Sequence, residues 1–241
     1  MRKTKIVCTL GPASTTYDQI KKMAMAGMNV ARINMSHGTY EEHQQRIDNV
    51  KKVRRNLGIP IPIMVDTKGP EIRIGTFKNG KIEVTEGMPF DFVNDDVVGD
   101  ETRVSITYKD LYKDVYDGGT ILLNDGLLVF RITGIEKGVL HAEAQNGGTL
   151  SDRKGLFVPN VKLNMPFLSE QDKKDLEYGV KIGAEMYALS FVQDGACVTE
   201  VRNFLLSRGA KDVCLIAKIE SQSGLDNIDE IIDASDGVMV A

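Results

Sequence analysis

Cysteine is scarce in this chain, and nothing in its placement suggests a structural job. Cys8, Cys197 and Cys214 are the only three among 241 residues, with no Cys-x-x-Cys pair. That argues against a disulfide-stapled secreted domain and against a thiolate zinc site, and reduced thiols in a cytoplasm are expected. A surplus of positive charge is also missing. Thirty Lys and Arg against 34 Asp and Glu leave a net charge of −4. No global field therefore draws in nucleic acid or anionic lipid, and an anionic ligand has to be met by a local site. No run approaches the ~18 apolar residues of a membrane span. Near the N-terminus Arg2, Lys3 and Lys5 precede an apolar stretch that Gly11-Pro12 cuts off, too short for a secretory signal. The polar composition of disordered chains is absent too: 42% hydrophobic and 27% charged residues suit one or two folded domains.

What the sequence does contain is a rhythm. Its first third alternates short β-rich runs with longer amphipathic ones, the pattern of parallel strands with crossover helices. Lys5-Ile6-Val7-Cys8-Thr9-Leu10 reads as a buried strand. After Gly11-Pro12, Ser14 or Thr15 can cap a helix carrying Ile20, Met23, Ala24 and Gly27. A second strand, Asn29 to Met35, leads through Ser36-His37-Gly38 into a helix with Tyr40, Gln44, Ile47, Val50 and Leu57 on one side and Gly58 as its stop. Pro62 to Thr67 reads as the third strand.

After Pro70 the helical period gives way to strand alternation and turn signals multiply. Asn79-Gly80 between Glu71–Phe77 and Lys81–Val84 predicts a hairpin on a type I′ turn, and Asp125-Gly126 between Ile121–Leu123 and Leu127–Phe130 predicts another. With β-runs at Phe90 to Val93, Arg103 to Thr107 and Val139 to Ala144, residues 70–166 are expected to form an inserted β-rich domain, a small barrel or sandwich. The βα rhythm resumes at Ser169-Glu170-Gln171-Asp172, a capping-box pattern. Leu176, Val180 and Gly183 follow, with strands at Met186 to Val192, Val213 to Ile219 and Gly237 to Ala241. Helices carrying Val201, Phe204 and Leu205, then Leu225, Ile228, Ile231 and Ile232, separate them.

The expected fold class is therefore α/β: a (β/α)8 TIM-barrel type, incomplete at about six strands, formed by residues 1–69 and 167–241 around the all-β insert. Setting aside 70–166 leaves 144 residues, whereas a closed barrel takes about 250 and rarely fewer than about 200. The last apolar strand has no covering helix after it, so the chain is expected to be the N-terminal portion of a longer protein.

In such folds ligands bind at the carboxyl ends of the strands, where polar residues interrupt apolar runs. Three endings qualify. Arg32, Asn34 and Ser36 share one face of an extended chain. Asp66-Thr67-Lys68-Gly69-Pro70-Glu71-Ile72-Arg73 places acids, bases and a hydroxyl around a tight turn. Lys218 and Glu220 lie two apart, on one face. This set suits phosphate chemistry: Arg32, Arg73 and Lys218 can hold phosphoryl oxygens, Glu220 offers a hard oxygen to Mg²⁺, and Asn34, Ser36, Asp66 and Thr67 can supply oxygens to a cation. Plainer readings stand beside it. Lys218 with Glu220, or Arg32 with Asp66, can be internal ion pairs. Ser36 and His37 can serve as helix caps, Met23, Met25, Met28 and Met35 as core filler, and Lys51, Lys52, Arg54 and Arg55 as a solvated helix face.

At these residues the sequence resembles the pyruvate kinase family. The resemblance lies in Cys8-Thr9-Leu10-Gly11-Pro12-Ala13-Ser14, in the run Ala26 to Gly38 containing Ala31-Arg32-Ile33-Asn34-Met35-Ser36-His37-Gly38, in Asp66 to Arg73, in Ser190-Phe191-Val192, in Lys218-Ile219-Glu220 and in Ala234 to Ala241. It spans nearly the whole chain. It implies a βα barrel with a β-rich lid inserted after the third strand, and transfer of phosphate from phosphoenolpyruvate to ADP, giving pyruvate and ATP in glycolysis. On that resemblance Arg32 binds the phosphoryl group, Lys218 stabilises its charge in the transition state and Glu220 is a Mg²⁺ ligand. Asn34, Ser36, Asp66 and Thr67 hold K⁺, whose use the family links to the acid found here as Glu71. His37, Arg73 and Lys154 contact nucleotide phosphates, with Asn34 and Ser36 counted beside them. The implied protein is a cytoplasmic homotetramer that engages neither nucleic acid nor membrane.

The sequence also departs from the family pattern. Ser221-Gln222-Ser223-Gly224 replaces a more usual Asn-x-Glu-Gly, and Asn124 stands where an acid usually precedes Asp125-Gly126. The family's second Mg²⁺ aspartate, a substrate threonine and the C-terminal domain with allosteric and oligomer contacts are not within these residues, so the chain alone is expected to be inactive. Two alternatives remain. One is another barrel enzyme that handles phosphoenolpyruvate or pyruvate with Mg²⁺, such as an aldolase, and the other is a non-catalytic ligand-binding piece.

Overall fold

A computed structural model describes residues 3–161 and 163–240; Arg2 and Ala241, named above, lie outside them. The first strands and helices follow the expected rhythm: β1 (Val7–Thr9), α1 (Tyr17–Ala26), β2 (Val30–Asn34), α2 (Tyr40–Leu57) and β3 (Ile63–Asp66). Nine strands come next, β4 (Ile72–Arg73), β5 (Lys81–Val84), β6 (Pro89–Val93), β7 (Arg103–Ser105), β8 (Thr120–Leu123), β9 (Leu128–Glu136), β10 (Val139–Ala144), β11 (Gly148–Ser151) and β12 (Gly155–Phe157). A single-turn helix, α3 (Leu111–Asp114), interrupts them. The chain then returns to βα order with α4 (Glu170–Ile182), β13 (Met186–Leu189), α5 (Gly195–Ser207), β14 (Cys214–Ile219), α6 (Gln222–Asp226), α7 (Ile228–Ala234) and β15 (Gly237–Val240). It divides into two compact units, Glu71–Pro166 and the flanking segments up to Pro70 and from Phe167.

In the flanking unit the six strands form one parallel sheet in the order β1-β2-β3-β13-β14-β15. This is βα-barrel architecture, partial over the described residues. Period-2 alternation sorts its side chains. Ala31 and Ile33, Ile63 and Val65, Tyr187 and Leu189, and Leu215 and Ala217 pack against helix residues Ile20, Ile47, Val50, Leu176, Val201 and Ile231. Each fully buried large aliphatic there contributes about 1.5–3 kcal/mol. Residues of the other parity, Val30, Met64 and Ala188 with Met186, Ile216 and Met239, form a separate small cluster on the opposite face. That face carries the polar strand ends.

Helix boundaries differ from the sequence reading by a residue or two, for local reasons. Pro12–Ser14 forms a 3₁₀ turn, and the Ser14 hydroxyl accepts from Gly11 N while Thr15 Oγ1 donates to Gly11 O. Neither is free to cap α1, and Thr16 does so in a capping box with Gln19. Similarly Thr39, paired with Glu42, caps α2, which leaves Ser36 and His37 without the capping role. Ser169 and Asp172 form the box expected for α4, and Gly58 and Gly183 adopt left-handed conformations at the ends of α2 and α4. The last helical stretch is split at Asn227 into α6 and α7.

The Glu71–Pro166 unit holds one seven-stranded sheet in the order β4-β12-β8-β9-β10-β6-β7 and a two-stranded ribbon, β11-β5. Its edge strands meet at one isolated bridge, Ile74 with Ile106. The hairpin expected at Asn79-Gly80 does not form: β4 pairs with β12 and β5 with β11. Gly80 is at φ +75° but Asn79 is not at positive φ, and a type I′ turn needs both. The second hairpin, β8 with β9, is present. Its positive-φ pair is Asn124-Asp125, at +51° and +58°, followed by Gly126 at +84°. Asparagine at position 124 therefore suits a left-handed turn position, where it is favoured over most side chains.

Candidate active site

β2 and β3 end in polar residues, Asn34 and Asp66, and β13 and β14 are followed directly by Ser190 and Glu220. Arg32 and Asn34 continue the parity of Val30, Asp66 that of Met64, Ser190 that of Ala188, and Lys218 and Glu220 that of Ile216. The parallel register sets Asn34 beside Asp66. Arg32 Nε donates to Asp66 Oδ2 at 2.5 Å, and its Nη1 donates to Thr9 Oγ1. Lys218 Nζ lies 3.3 Å from Asp66 Oδ1, 3.3 Å from Glu220 Oε1 and 2.8 Å from Ser190 Oγ. Asp66 is 1% exposed and Lys218 7%. Both ion pairs weighed in the sequence thus exist, and they share one network with two cations and two carboxylates. A buried pair of this kind is a weak source of net stability, but it holds both cations at one place on the sheet.

Ser190 is the member that reasoning from the residues alone left out. Its Oγ accepts from Lys218 and donates to Thr67 O at 2.7 Å, and its N–H donates to Thr67 Oγ1 at 3.2 Å. The signal was present: a hydroxyl closing the apolar run Tyr187-Ala188-Leu189, at the position whose parity matches Ala188. Gly69, at φ +71°, wedges against Ser190 so closely that a Cβ would stand 2.6 Å from Ser190 O. Only glycine meets both demands. Phe191 then turns into the left-handed region at φ +56°, an outlier for a bulky residue. There its N–H donates to Glu220 Oε2 at 3.0 Å. Ser221 Oγ accepts from Gly224 N and caps α6, so the serine found in place of asparagine keeps the helix start.

Beyond β2, Asn34 Oδ1 accepts from Ser36 N, and His37 N donates to Asn34 O. The strand end therefore folds back on itself before α2. Arg73 and Lys154 belong to the Glu71–Pro166 unit. There Glu71 holds Arg73 through both oxygens, at 2.7 and 2.9 Å, and Arg73 Nη1 donates to Arg153 O. Lys154 follows Arg153 directly and its carbonyl accepts from Ile74 N.

Among the described residues no three His, Cys, Asp or Glu side chains gather as a ready-made metal site. The donor chemistry nevertheless fits hard cations. Glu220 keeps a carboxylate on the site face, and Asn34, Ser36, Asp66 and Thr67 present amide, hydroxyl and carboxylate oxygens on the adjacent ends of β2 and β3, in register at Asn34 and Asp66. Around the first turns of α2 and α4, a cleft of about 210 Å³ is lined by Gly38, Tyr40, His43 and Asp175 among others. Burial pushes the Asp175 carboxyl up, although the Tyr40 hydroxyl donates to it. Tyr40 in turn is raised to about 12 by its own burial and then by Asp175. Burial, and then the neighbouring Arg46 guanidinium, hold the His43 imidazole below its usual range.

No helix of the described residues is long and apolar enough to cross a membrane. A family model described as "Pyruvate kinase, barrel domain" matches residues 1–241. The chain is 46% identical over 243 residues to a pyruvate kinase of Bacillus licheniformis, with all of this chain and 42% of the relative covered. It is 44% identical to that of Geobacillus stearothermophilus and 45% identical to that of Clostridium acetobutylicum, again over all of this chain, with 41% and 51% of those relatives covered. The chain thus spans about half or less of the curated relatives it matches. With six parallel βα strands, a charged network at their carboxyl ends and a family match along its whole length, the chain belongs to the pyruvate kinase family.

Proposed function

We propose that this chain carries a large part of a site that transfers a phosphoryl group from phosphoenolpyruvate to ADP, giving pyruvate and ATP. The observation that carries this reading is the joining of Arg32 and Lys218 through the Asp66 carboxylate, with Glu220 on the same face. Phosphoryl transfer asks for positioning and charge neutralisation rather than covalent help from the protein. Arg32, its guanidinium oriented by Asp66 and Thr9, grips phosphoryl oxygens through a planar fork, and Lys218 meets the charge that develops in the transition state. Because both cations are already ordered, little reorganisation accompanies the reaction. Glu220 would hold Mg²⁺, and Asn34, Ser36, Asp66 and Thr67 would hold K⁺; when bound, these ions neutralise phosphoryl charge. On the family resemblance His37, with Asn34 and Ser36 beside it, takes nucleotide phosphates, and Arg73 and Lys154 carry the same assignment within their own unit.

We propose further that the 241-residue chain binds phosphoenolpyruvate with Mg²⁺ but does not turn it over by itself. Two measurements test this: calorimetric titration of the chain, and coupled pyruvate formation by the chain joined to the remaining length of the Bacillus licheniformis relative. Binding that weakens at least about tenfold in Lys218→Met, with turnover only in the joined protein, is expected. Binding indifferent to Lys218 would overturn the site assignment, and turnover by the chain alone would overturn the inactivity claim.

A further inference from the structure

Asp172 is 1% exposed and has no part in the chemistry above. A capping-box acid at this position of a helix serves its own serine, and Asp172 Oδ2 does so, accepting from Ser169 Oγ at 2.5 Å and Ser169 N at 3.3 Å. Its other oxygen is spent elsewhere. Oδ1 accepts from Gly69 N at 3.0 Å, across 103 residues of sequence. Gly69 lies just before the chain leaves for Glu71–Pro166, and Ser169 lies just after it returns, so one buried carboxylate ties both crossing segments. The Thr67–Gly69 turn embraces Ser190: Thr67 bonds it through Oγ1 and O, and Gly69 presses on its carbonyl. Ser190 Oγ in turn receives Lys218 Nζ at 2.8 Å.

We infer that Asp172 is a positioning residue of this site, holding the Gly69 turn against Ser190 and, through Ser190, fixing the Lys218 ammonium. The inference rests on the phosphotransferase reading for its consequence but not for its contacts. A helix cap alone would need only Ser169; the bond to Gly69 is the part that reaches the site.

The test follows the Ser190 amide and the Lys218 ammonium by ¹⁵N NMR in the 241-residue chain, with phosphoenolpyruvate–Mg²⁺ affinity measured alongside. In Asp172→Ala both signals are expected to move and affinity to fall about 10- to 100-fold, as for other residues that orient a site from behind. Asp172→Asn keeps an oxygen for Gly69 N and is expected to recover most of both. Ser169→Ala removes the cap and the hydroxyl bond to Asp172 Oδ2 but leaves the bonds from Ser169 N and Gly69 N; it lowers the melting temperature and leaves the Lys218 signal in place. The inference is overturned if Lys218 and Ser190 are unmoved in folded Asp172→Ala, if Asn does no better than Ala, or if Ser169→Ala moves the signals as far. Should Asp172→Ala not fold, the contrast between Asp172→Asn and Ser169→Ala decides. If the unsubstituted chain binds no phosphoenolpyruvate, the functional reading fails while the two signals still judge the positioning role.

Discussion

The Lys218 ammonium stands 3.3 Å from Asp66 Oδ1, joining residues 152 positions apart. The other Asp66 oxygen belongs to Arg32. One nearly inaccessible carboxylate therefore balances two cations that come from different strands, and this sharing gives the site its order. It also makes Asp66 hard to replace.

Asp66→Ala removes the carboxylate that Arg32 and Lys218 share and leaves Glu220, beside Lys218, as the remaining acid of the network. Breaking a buried pair from one side costs about 3–5 kcal/mol, and denaturant unfolding of the chain is expected to show a loss of that order. A loss below about 1 kcal/mol would mean that Glu220 and solvent already suffice to balance the cations.

Lys218→Met separates stability from function. A methionine fills the lysine's volume and Asp66 keeps Arg32, but Glu220 loses its ion-pair partner, so a fall in melting temperature smaller than that of Asp66→Ala is expected. Turnover in the joined protein should fall by about 10²–10³, the usual cost of removing one donor to transition-state charge. Comparing kcat with thermal unfolding on the same preparation checks both halves.

Gly69→Ala adds a methyl group where the backbone is left-handed and Ser190 O is 2.6 Å away. The conformation alone costs about 1–2 kcal/mol, and the contact forces Ser190 aside. Reduced stability together with weakened phosphoenolpyruvate binding is expected. A variant with wild-type affinity would show that the Ser190 position is not critical.

His43 gives the flanking unit a pH response. Its imidazole is 3% exposed and its pKa is lowered, first by burial and then by Arg46. Between the unfolded value of about 6.5 and the lower folded one, the unfolded chain takes up a proton that the folded chain does not. The stability His43 contributes is thus complete above about pH 6.5 and is lost as pH falls toward the folded value. Melting temperatures at pH 7.5 and 5.5 should differ less in His43→Gln than in the unsubstituted protein, and equal differences would exclude this source.

Much of this is legible in the amino-acid sequence. Arg32 and Asn34, and likewise Lys218 and Glu220, fall on one face because side chains alternate along a strand. Their contrast with Ala31, Ile33 and Ala217 marks that face as different from the core. The ends of α2 and α4 were legible in Gly58, Ser169 and Gly183. Legibility failed where two local signals competed. Pro12 draws Ser14 and Thr15 into a 3₁₀ turn, which moves the α1 cap to Thr16. It failed again where local chemistry names a turn but not a partner, as at Asn79-Gly80, whose flanking strands pair with β11 and β12 instead of each other.

The sequence by itself determined the order of strands and helices, the face each side chain takes and the chemical types available at the strand ends, because these depend on short-range periodicity and capping. Tertiary structure alone decided that Asp66 is shared by Arg32 and Lys218, that Ser190 receives the ammonium and that Asp172 reaches Gly69. Those partners are 28 to 152 residues apart, and a hydrogen bond over such a separation is set by strand register and packing, which no local pattern of residues encodes.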